Sequence, residues 1–454
     1  MKLIYNVDDK PKFGQLIIFA IQQLLAIMTA TLVVPVIIGN GMSPAAALFG
    51  AGIGTLIYVL CTKKKSPVFL GSSFAFIGSM FAAFAGGVSM SLGYLGLVIG
   101  AVFAGLVYVV IAILVKFVGV NWINKLMPPI VIGPTVAIIG LSLAGNAVSD
   151  LQKGMVYLEG AAAPAASPLV CVLVGLITLF TTTLCSTFGK KMVKLIPFIL
   201  GILAGYIASV IFTLIGNALN IDALKVISFA PFTALVENGV NLSTFVQVPD
   251  FTFLTAFKGF GELNGTYIGT IAAAYIPVAF VVFAEHIADH KNISSIIEKD
   301  LLIEPGLHRT LLGDGIGSMF GALFGGCPNT TYGESVGCVA ITKNASVVTI
   351  ITAAIGAILI SFLSPFVALV NSIPSCVMGG VCMALYGFIA VSGLRMFKSL
   401  DLDDNRNLFV VSVILIAGIG GLTLTFGKVT ITSIACALIL GIITNLLLAP
   451  KKAQ

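Results

Sequence analysis

Apolar runs separated by short polar or basic connections follow one another along almost the whole chain. They fall at approximately 14–38, 45–61, 68–85, 92–115, 127–146, 168–187, 194–215, 266–290, 308–325, 328–342, 345–371, 374–394, 407–426 and 429–449. Most are close to the ~20 residues an apolar helix needs to cross hydrocarbon. The pattern therefore predicts an all-α polytopic membrane protein with fourteen spans. Two of the runs are interrupted. Residues 325–343, GGCPNTTYGESVGCVAITK, hold Pro328, a group of hydroxyl and amide side chains and a lone acid, Glu334. Residues 66–81, SPVFLGSSFAFIGSMF, hold Pro67, Gly71, Ser72 and Ser73 inside an apolar stretch too short to span. Broken, polar backbone at membrane depth survives only where it is buried in protein or lines a cavity, and a carboxylate there marks a substrate or ion path by default. A re-entrant loop or a helix start near the surface is the plainer alternative for either run.

The two interrupted runs echo each other. Gly71–Phe76 falls on Asn329–Glu334 at an offset of 258 residues, and just upstream LFGAGIGTL (48–56) matches LLGDGIGSM (311–319) at an offset of 263. Fourteen spans then divide as seven and seven, and an odd number per half turns the second copy upside down. Short, Gly/Pro-interrupted segments at corresponding places in two such halves point to a binding site built between inverted repeats. The stretch 216–265 separates the halves. It is long and mixed, with room for short amphipathic pieces and no second domain. Gly/Ala-rich faces such as AAALFGAGIG and GSMFGALFGG suit close helix packing in lipid, and spans five to seven and twelve to fourteen read as scaffold.

Composition agrees with this picture. The chain is 58% hydrophobic and only 9% charged, against ~25% charged residues in an ordinary soluble domain. The first run is a full span long, so it is expected to stay in place and not to be cleaved as a signal peptide. A net charge of +6 could suggest a nucleic-acid partner. Its distribution argues instead for topology. Alternate connections collect 20 of the 24 basic residues, among them Lys2, Lys63–Lys65, Lys125, Arg395, Lys398, Lys451 and Lys452, and leave Lys153, Lys225, Lys258 and Lys428 on the other side. This is the positive-inside bias, which places both termini in the cytoplasm. The eight cysteines show no C-x-x-C spacing and read as small apolar residues, neither a disulfide framework nor a metal site.

The eighth span ends AYIPVAFVVFAEHIADHK. Glu285 and Asp289 are four apart and share one helix face; His286 and His290 share an adjacent one. The E-H-x-x-D-H run could hold a metal, but it lacks the H-E-x-x-H order and no further Cys/His cluster supports it. A buried functional acid at Glu285 is the stronger reading. By the repeat offsets Glu285 lies opposite Gln22–Thr31 of the first span, so the first, third, eighth and tenth spans are expected to converge near the midplane. A nucleophile–base constellation for an enzyme is missing.

GSSFAF (71–76), AEH (284–286), PGLHR (305–309) and NTTYGE–xxG–xxxx–TK (329–343) resemble the nucleobase/ascorbate transporters, and among them the bacterial uracil permeases. The resemblance runs nearly end to end. It implies fourteen spans in two inverted repeats, short strands and half-helices in the third and tenth segments, proton-coupled transport and a homodimer in the cell membrane. It also implies a core domain of 1–125 and 266–372, a gate domain of 126–215 and 373–454, and an exterior linker at 216–265. By the same resemblance, Glu285 and Glu334 hold the base, the backbone around Phe74 and Gly333 contacts it, and Ala30 and Tyr332 wall the pocket. Ser335 stands where the family usually has Asn, Asp289 where uracil permeases often have His, and Gln23 where a His is frequent. Glu285 and Asp289 are the expected proton carriers, with no cofactor and no metal. Uracil is the favoured substrate. A purine such as xanthine is the alternative, and an anion exchanger of the same seven-plus-seven architecture is the rival from another class.

Overall fold

The computed structural model describes residues 3–119, 122, 128–158, 163–237, 239–396, 400–426 and 429–449. Lys2, Lys125, Lys398, Lys428, Lys451 and Lys452 of the basic pattern lie outside them. The described residues are 74% helical. Its principal elements in chain order are α1 (Phe13–Ile38), α2 (Pro44–Cys61), β1 (Leu70–Ser72), a 3-10 turn (Phe74–Phe76) running into α3 (Ile77–Ala83), α4 (Met90–Val118), α5 (Pro129–Ser142), α6 (Ala144–Leu151), α7 (Pro168–Phe188) and α8 (Pro197–Leu219). They continue as α9 (Gly265–Ile297), α10 (Leu307–Gly325), β2 (Asn329–Thr331), α11 (Gly333–Thr342), α12 (Val347–Ser361), α13 (Ser364–Asn371), α14 (Ser375–Arg395), α15 (Asn405–Ile419), β3 (Leu424–Phe426), β4 (Val429–Ile431) and α16 (Ser433–Leu447). Among the described residues, eight helices are long and apolar enough to cross a membrane.

Local chemistry sets where the helices begin. Ser43 caps α2 by accepting the Ala46 amide (3.2 Å), with Pro44 at the first helical position, where its missing N–H costs nothing. Asn264 caps α9 in the same way through Tyr267 N (2.9 Å). At ~1.5 Å per residue α9 is about 50 Å long, so its last turns pass beyond ~30 Å of hydrocarbon.

α2 lies on α10 and α12, and α1 on α12 and α2; α5, α7, α8 and α14 form a second group with α15 and α16. The matched glycine motifs meet at the α2–α10 crossing. A Cβ on Gly54 would stand 2.8 Å from Gly317 O, and one on Gly317 would stand 2.8 Å from Gly54 O. Only glycines let these two backbones come so near. Pro44 and Leu307, the first residues of the two helices, are 263 positions apart, the spacing of the motifs themselves.

β1 and β2 join the two interrupted segments as an antiparallel pair, with Leu70 opposite Thr331, Gly71 opposite Thr330 and Ser72 opposite Asn329. Buried groups fasten it: the Thr55 hydroxyl accepts the Leu70 amide (2.9 Å), and Asn329 Nδ2 donates to Gly50 O (3.1 Å).

Several expected runs differ from what the chain forms. The stretch 345–371 is two helices broken at Phe362 and Leu363. The helix expected over 407–426 stops at Ile419, because Gly420 and Gly421 (φ +72°) end it. A two-stranded ribbon follows and takes in the start of the run 429–449. Thr423, Thr425, Thr430 and Ile431 are β-branched, a composition that fits a pleated strand better than a helix. The 216–265 stretch holds only short pieces such as Ala230–Thr233, Leu242–Phe245 and Thr252–Ala256.

Candidate substrate-binding site

A cavity of about 450 Å³ opens between the two helix groups. On one side its wall is made by Ser73, Phe74 and Ala75 at the start of the α3 segment, Thr330–Glu334 from β2 into α11, and Glu285 and Asp289 from α9. The four-residue spacing on α9 does what the sequence anticipates. Both acids face the cavity, half-buried, while His286 and His290 turn the other way and are fully buried. Asp289 Oδ2 accepts the Thr331 hydroxyl at 2.9 Å. Glu334 sits in the first turn of α11, where free backbone N–H groups leave a partial positive charge that favours an anion or a hydrogen-bond acceptor. The start of the α3 segment meets the same cavity from the other strand.

Tyr332 lines the cavity and is held in place: its hydroxyl donates to Ser72 O (2.6 Å) and its ring lies against Gly71. Ser73 Oγ and Thr330 Oγ1, both on residues of the wall, have no hydrogen-bond partner among the described residues. They can serve a polar ligand as donor or acceptor.

Two residues expected at the site lie elsewhere. Ala30 is buried in the packing of α1 and is not on the cavity wall. Ser335 is also off the wall; its hydroxyl accepts Gln23 Nε2 at 2.5 Å and the Phe69 amide at 3.0 Å. One step along the helix separates these roles: Glu334 faces the cavity, and its neighbour pins α11 to α1 and to the lead-in of β1.

The opposite wall corrects the reading of spans five to seven and twelve to fourteen as scaffold alone. Ile132, Val136 and Ile139 of α5, Phe198 of α8, and Leu385, Phe388, Ile389 and Ser392 of α14 line the cavity. Arg395, the last residue of α14, lines it as well and is exposed. Apolar residues in an apolar helix carry no sequence signal that separates a ligand wall from a lipid face. Arg395 reads from the sequence only as a connection charge. Among the described residues no group of three or more His, Cys, Asp or Glu is arranged to hold a metal.

Carboxyl groups and two interrupted helices around a cavity, inside a bundle of membrane-length helices, define a membrane permease. Comparison with known proteins narrows this. Residues 14–426 match the Xan_ur_permease model, described as Permease family. The uracil permease of Bacillus caldolyticus is 38% identical over 458 residues, covering 100% of this chain and 96% of that protein. The uracil permease of Bacillus subtilis is also 38% identical, over 462 residues, covering 100% and 97%. Among solved structures, the transmembrane domain of a cyanobacterium bicarbonate transporter, BicA, has the same fold with a TM-score of 0.61 at 14% identity, over 97% of this chain and all of that one. The chain belongs to the nucleobase/ascorbate transporter family, and within it is similar over its full length to bacterial uracil permeases.

Proposed function

We propose that this protein is a secondary active transporter that takes up a nucleobase, uracil by preference, together with protons across the cytoplasmic membrane by alternating access. The observation that carries the reading is the convergence of Glu285 and Glu334 on one cavity that also receives the starts of two interrupted helices. Uracil is planar and neutral, with two ring N–H donors and two carbonyl acceptors. Carboxylates accept from the N–H groups, and backbone amides around Phe74 and Gly333 donate to the carbonyls. Glu285 and Asp289, four residues apart on the cavity face of α9, are the proton carriers of this proposal. The names of the relatives favour uracil over a purine.

In this reading the chain has fourteen spans in two inverted repeats, a core domain of 1–125 and 266–372, and a gate domain of 126–215 and 373–454. Support comes from the antiparallel pairing of β1 with β2 and from element starts 259 residues apart at Phe74 and Gly333. The basic bias supports cytoplasmic termini, and the family resemblance supports a homodimer. An anion exchanger is the second reading, raised by the fold shared with a bicarbonate transporter and by Arg395 on the cavity wall. The three acids in the same cavity weigh against it.

A thermal-shift screen of the purified protein against uracil, xanthine, adenine, ascorbate and bicarbonate tests the assignment. Uracil is expected to give the largest rise in melting temperature. A rise with bicarbonate and none with any base overturns the nucleobase reading.

A further inference from the structure

One stretch of the chain between α8 and α9 takes no part in the substrate cavity. Residues 252–262, TFLTAFKGFGE, form a short helix, Thr252–Ala256, that runs straight into a 3-10 turn, Phe257–Glu262. Side chains three apart eclipse one another in such a turn, and that spacing sets its faces. Thr252, Ala256 and Gly259 are buried, on a stretch that lies against α4 and α10. The fit is close. A Cβ on Gly259 would stand 2.6 Å from Ser91 O, and one on Gly326, just past α10, would stand 2.9 Å from Thr252 Oγ1. Both approaches to the stretch are fastened: the Ser89 hydroxyl donates to Glu262 Oε1 (2.8 Å), and Gln247 N donates to Phe362 O (2.9 Å). With that side pinned, Leu254, Phe257 and Phe260 are held outward, 53%, 53% and 56% exposed.

Phe257 and Phe260 are the outer rungs of a continuous ladder of rings. Phe362 meets Phe49 (5.8 Å between centroids), and Phe49 and Phe324 both meet Phe251 (4.8 and 5.5 Å). Phe251 stacks on Phe253 (5.8 Å), Phe253 meets Phe257 (5.9 Å) and Phe257 meets Phe260 (5.8 Å). The inner rings of α2 and α10 anchor the series, and large apolar side chains exposed side by side at its outer end mark an interaction surface. Its position says what covers it. The stretch sits where α4 and α9, both long and apolar enough to cross a membrane, begin at Met90 and Gly265. Of its eleven residues only Lys258 and Glu262 are charged. We propose that Leu254, Phe257 and Phe260 dock into the bilayer leaflet at that end of the bundle, the exterior leaflet in the orientation given above. A short amphipathic segment lies in that plane with its apolar face ~5–10 Å into the boundary between headgroups and acyl chains. Lys258, a third of a turn away and also exposed, keeps its ammonium in water. The segment thereby holds the ends of α2, α4 and α10 at a set depth in the membrane.

Tryptophan reporters in liposomes provide the test. Trp122 is the chain's single tryptophan, so Trp122→Phe gives a background in which Phe257→Trp, Phe260→Trp or Lys258→Trp is the only source of tryptophan emission. Each protein is reconstituted in phosphatidylcholine with or without bromine on the acyl chains, and iodide is titrated into the water. A monodisperse elution profile before reconstitution shows that each variant folds. Phe257→Trp and Phe260→Trp are expected to emit at shorter wavelength than Lys258→Trp. Brominated lipid should quench them about twofold or more above Lys258→Trp, with iodide giving the reverse order. Equal iodide quenching at all three positions, with no effect of bromine, overturns the proposal and leaves the face in water. Shielding of both phenylalanine positions from both quenchers overturns it too, and assigns the face to a protein partner such as a second copy of this chain.

Discussion

Ser335 separates two roles that the sequence runs together, because it follows Glu334 inside the family's signature and yet faces away from the cavity. Its hydroxyl accepts two hydrogen bonds in a site with 0% exposure, from Gln23 Nε2 and from the Phe69 amide. Ser335→Ala removes the acceptor and leaves both donors buried and unpaired. Each such group costs ~1–3 kcal/mol, and because the two share one acceptor a combined loss of about 2–4 kcal/mol is expected. The strands beyond Phe69 and the acids on the wall keep their own partners. Uracil affinity should therefore change by less than about threefold, under ~0.7 kcal/mol. Denaturant unfolding of the purified protein measures the first quantity and calorimetry with uracil the second. Unchanged stability together with a tenfold or greater loss of affinity would refute the reasoning, since it would mean that the hydroxyl touches substrate. Ser335→Asn restores an acceptor of different length, and recovery of stability without a change in affinity would support the positioning role.

Three further perturbations test other parts of the structure. Glu285→Ala deletes an acceptor on the cavity wall and should weaken uracil binding roughly 5–150-fold, the equivalent of ~1–3 kcal/mol, while the protein stays monodisperse; undiminished affinity for every base removes Glu285 from the site. Glu334→Gln exchanges an acceptor-only group for one acceptor and two donors, so competition against radiolabelled uracil should show a greater loss for uracil than for xanthine, and a wild type that already prefers xanthine reverses the substrate assignment. Gly317→Ala sets a methyl group 2.8 Å from the Gly54 carbonyl, with a rigid helix backbone there that cannot swing aside. A loss of ~1–3 kcal/mol in stability is expected from such overpacking, and an unchanged unfolding curve would mean that the crossing is looser than described.

Much of the framework is legible in the sequence where a feature leaves a pattern. The interrupted runs stand out because Pro, Ser, Thr and Asn break long apolar stretches, and the glycine motifs announce a close crossing because no other residue permits it. The acids of α9 are legible from their four-residue spacing. The opposite wall is not, since Phe388 facing a ligand and Phe388 facing lipid are spelled alike. The buried contact of Asp314 with His286 Nδ1 (2.6 Å) escapes for a different reason: the acid sits inside a motif that draws attention to its glycines, although its mismatch with Ala51 in the matched copy is a visible signal. The ribbon at 424–431 is hidden because apolar β-branched residues extend the hydropathy of a span without sharing its backbone preference.

The three-residue strand pair has a mechanical consequence. Ser73 N bonds to Pro328 O (2.9 Å), Tyr332 N to Phe69 O (3.3 Å) and the Tyr332 hydroxyl to Ser72 O, so contacts cross the pair beyond both of its ends. Phe74 and Glu334 belong to segments some 260 residues apart in sequence, yet they are riveted into one plate. Parting them would break several buried hydrogen bonds at once. The plate can travel only as a unit, and the span between its two helix starts is a fixed gauge. In the alternating-access reading proposed above, the cavity opens and closes by sliding between this plate and the face formed by α5 and α14, whose apolar side chains offer little to grip.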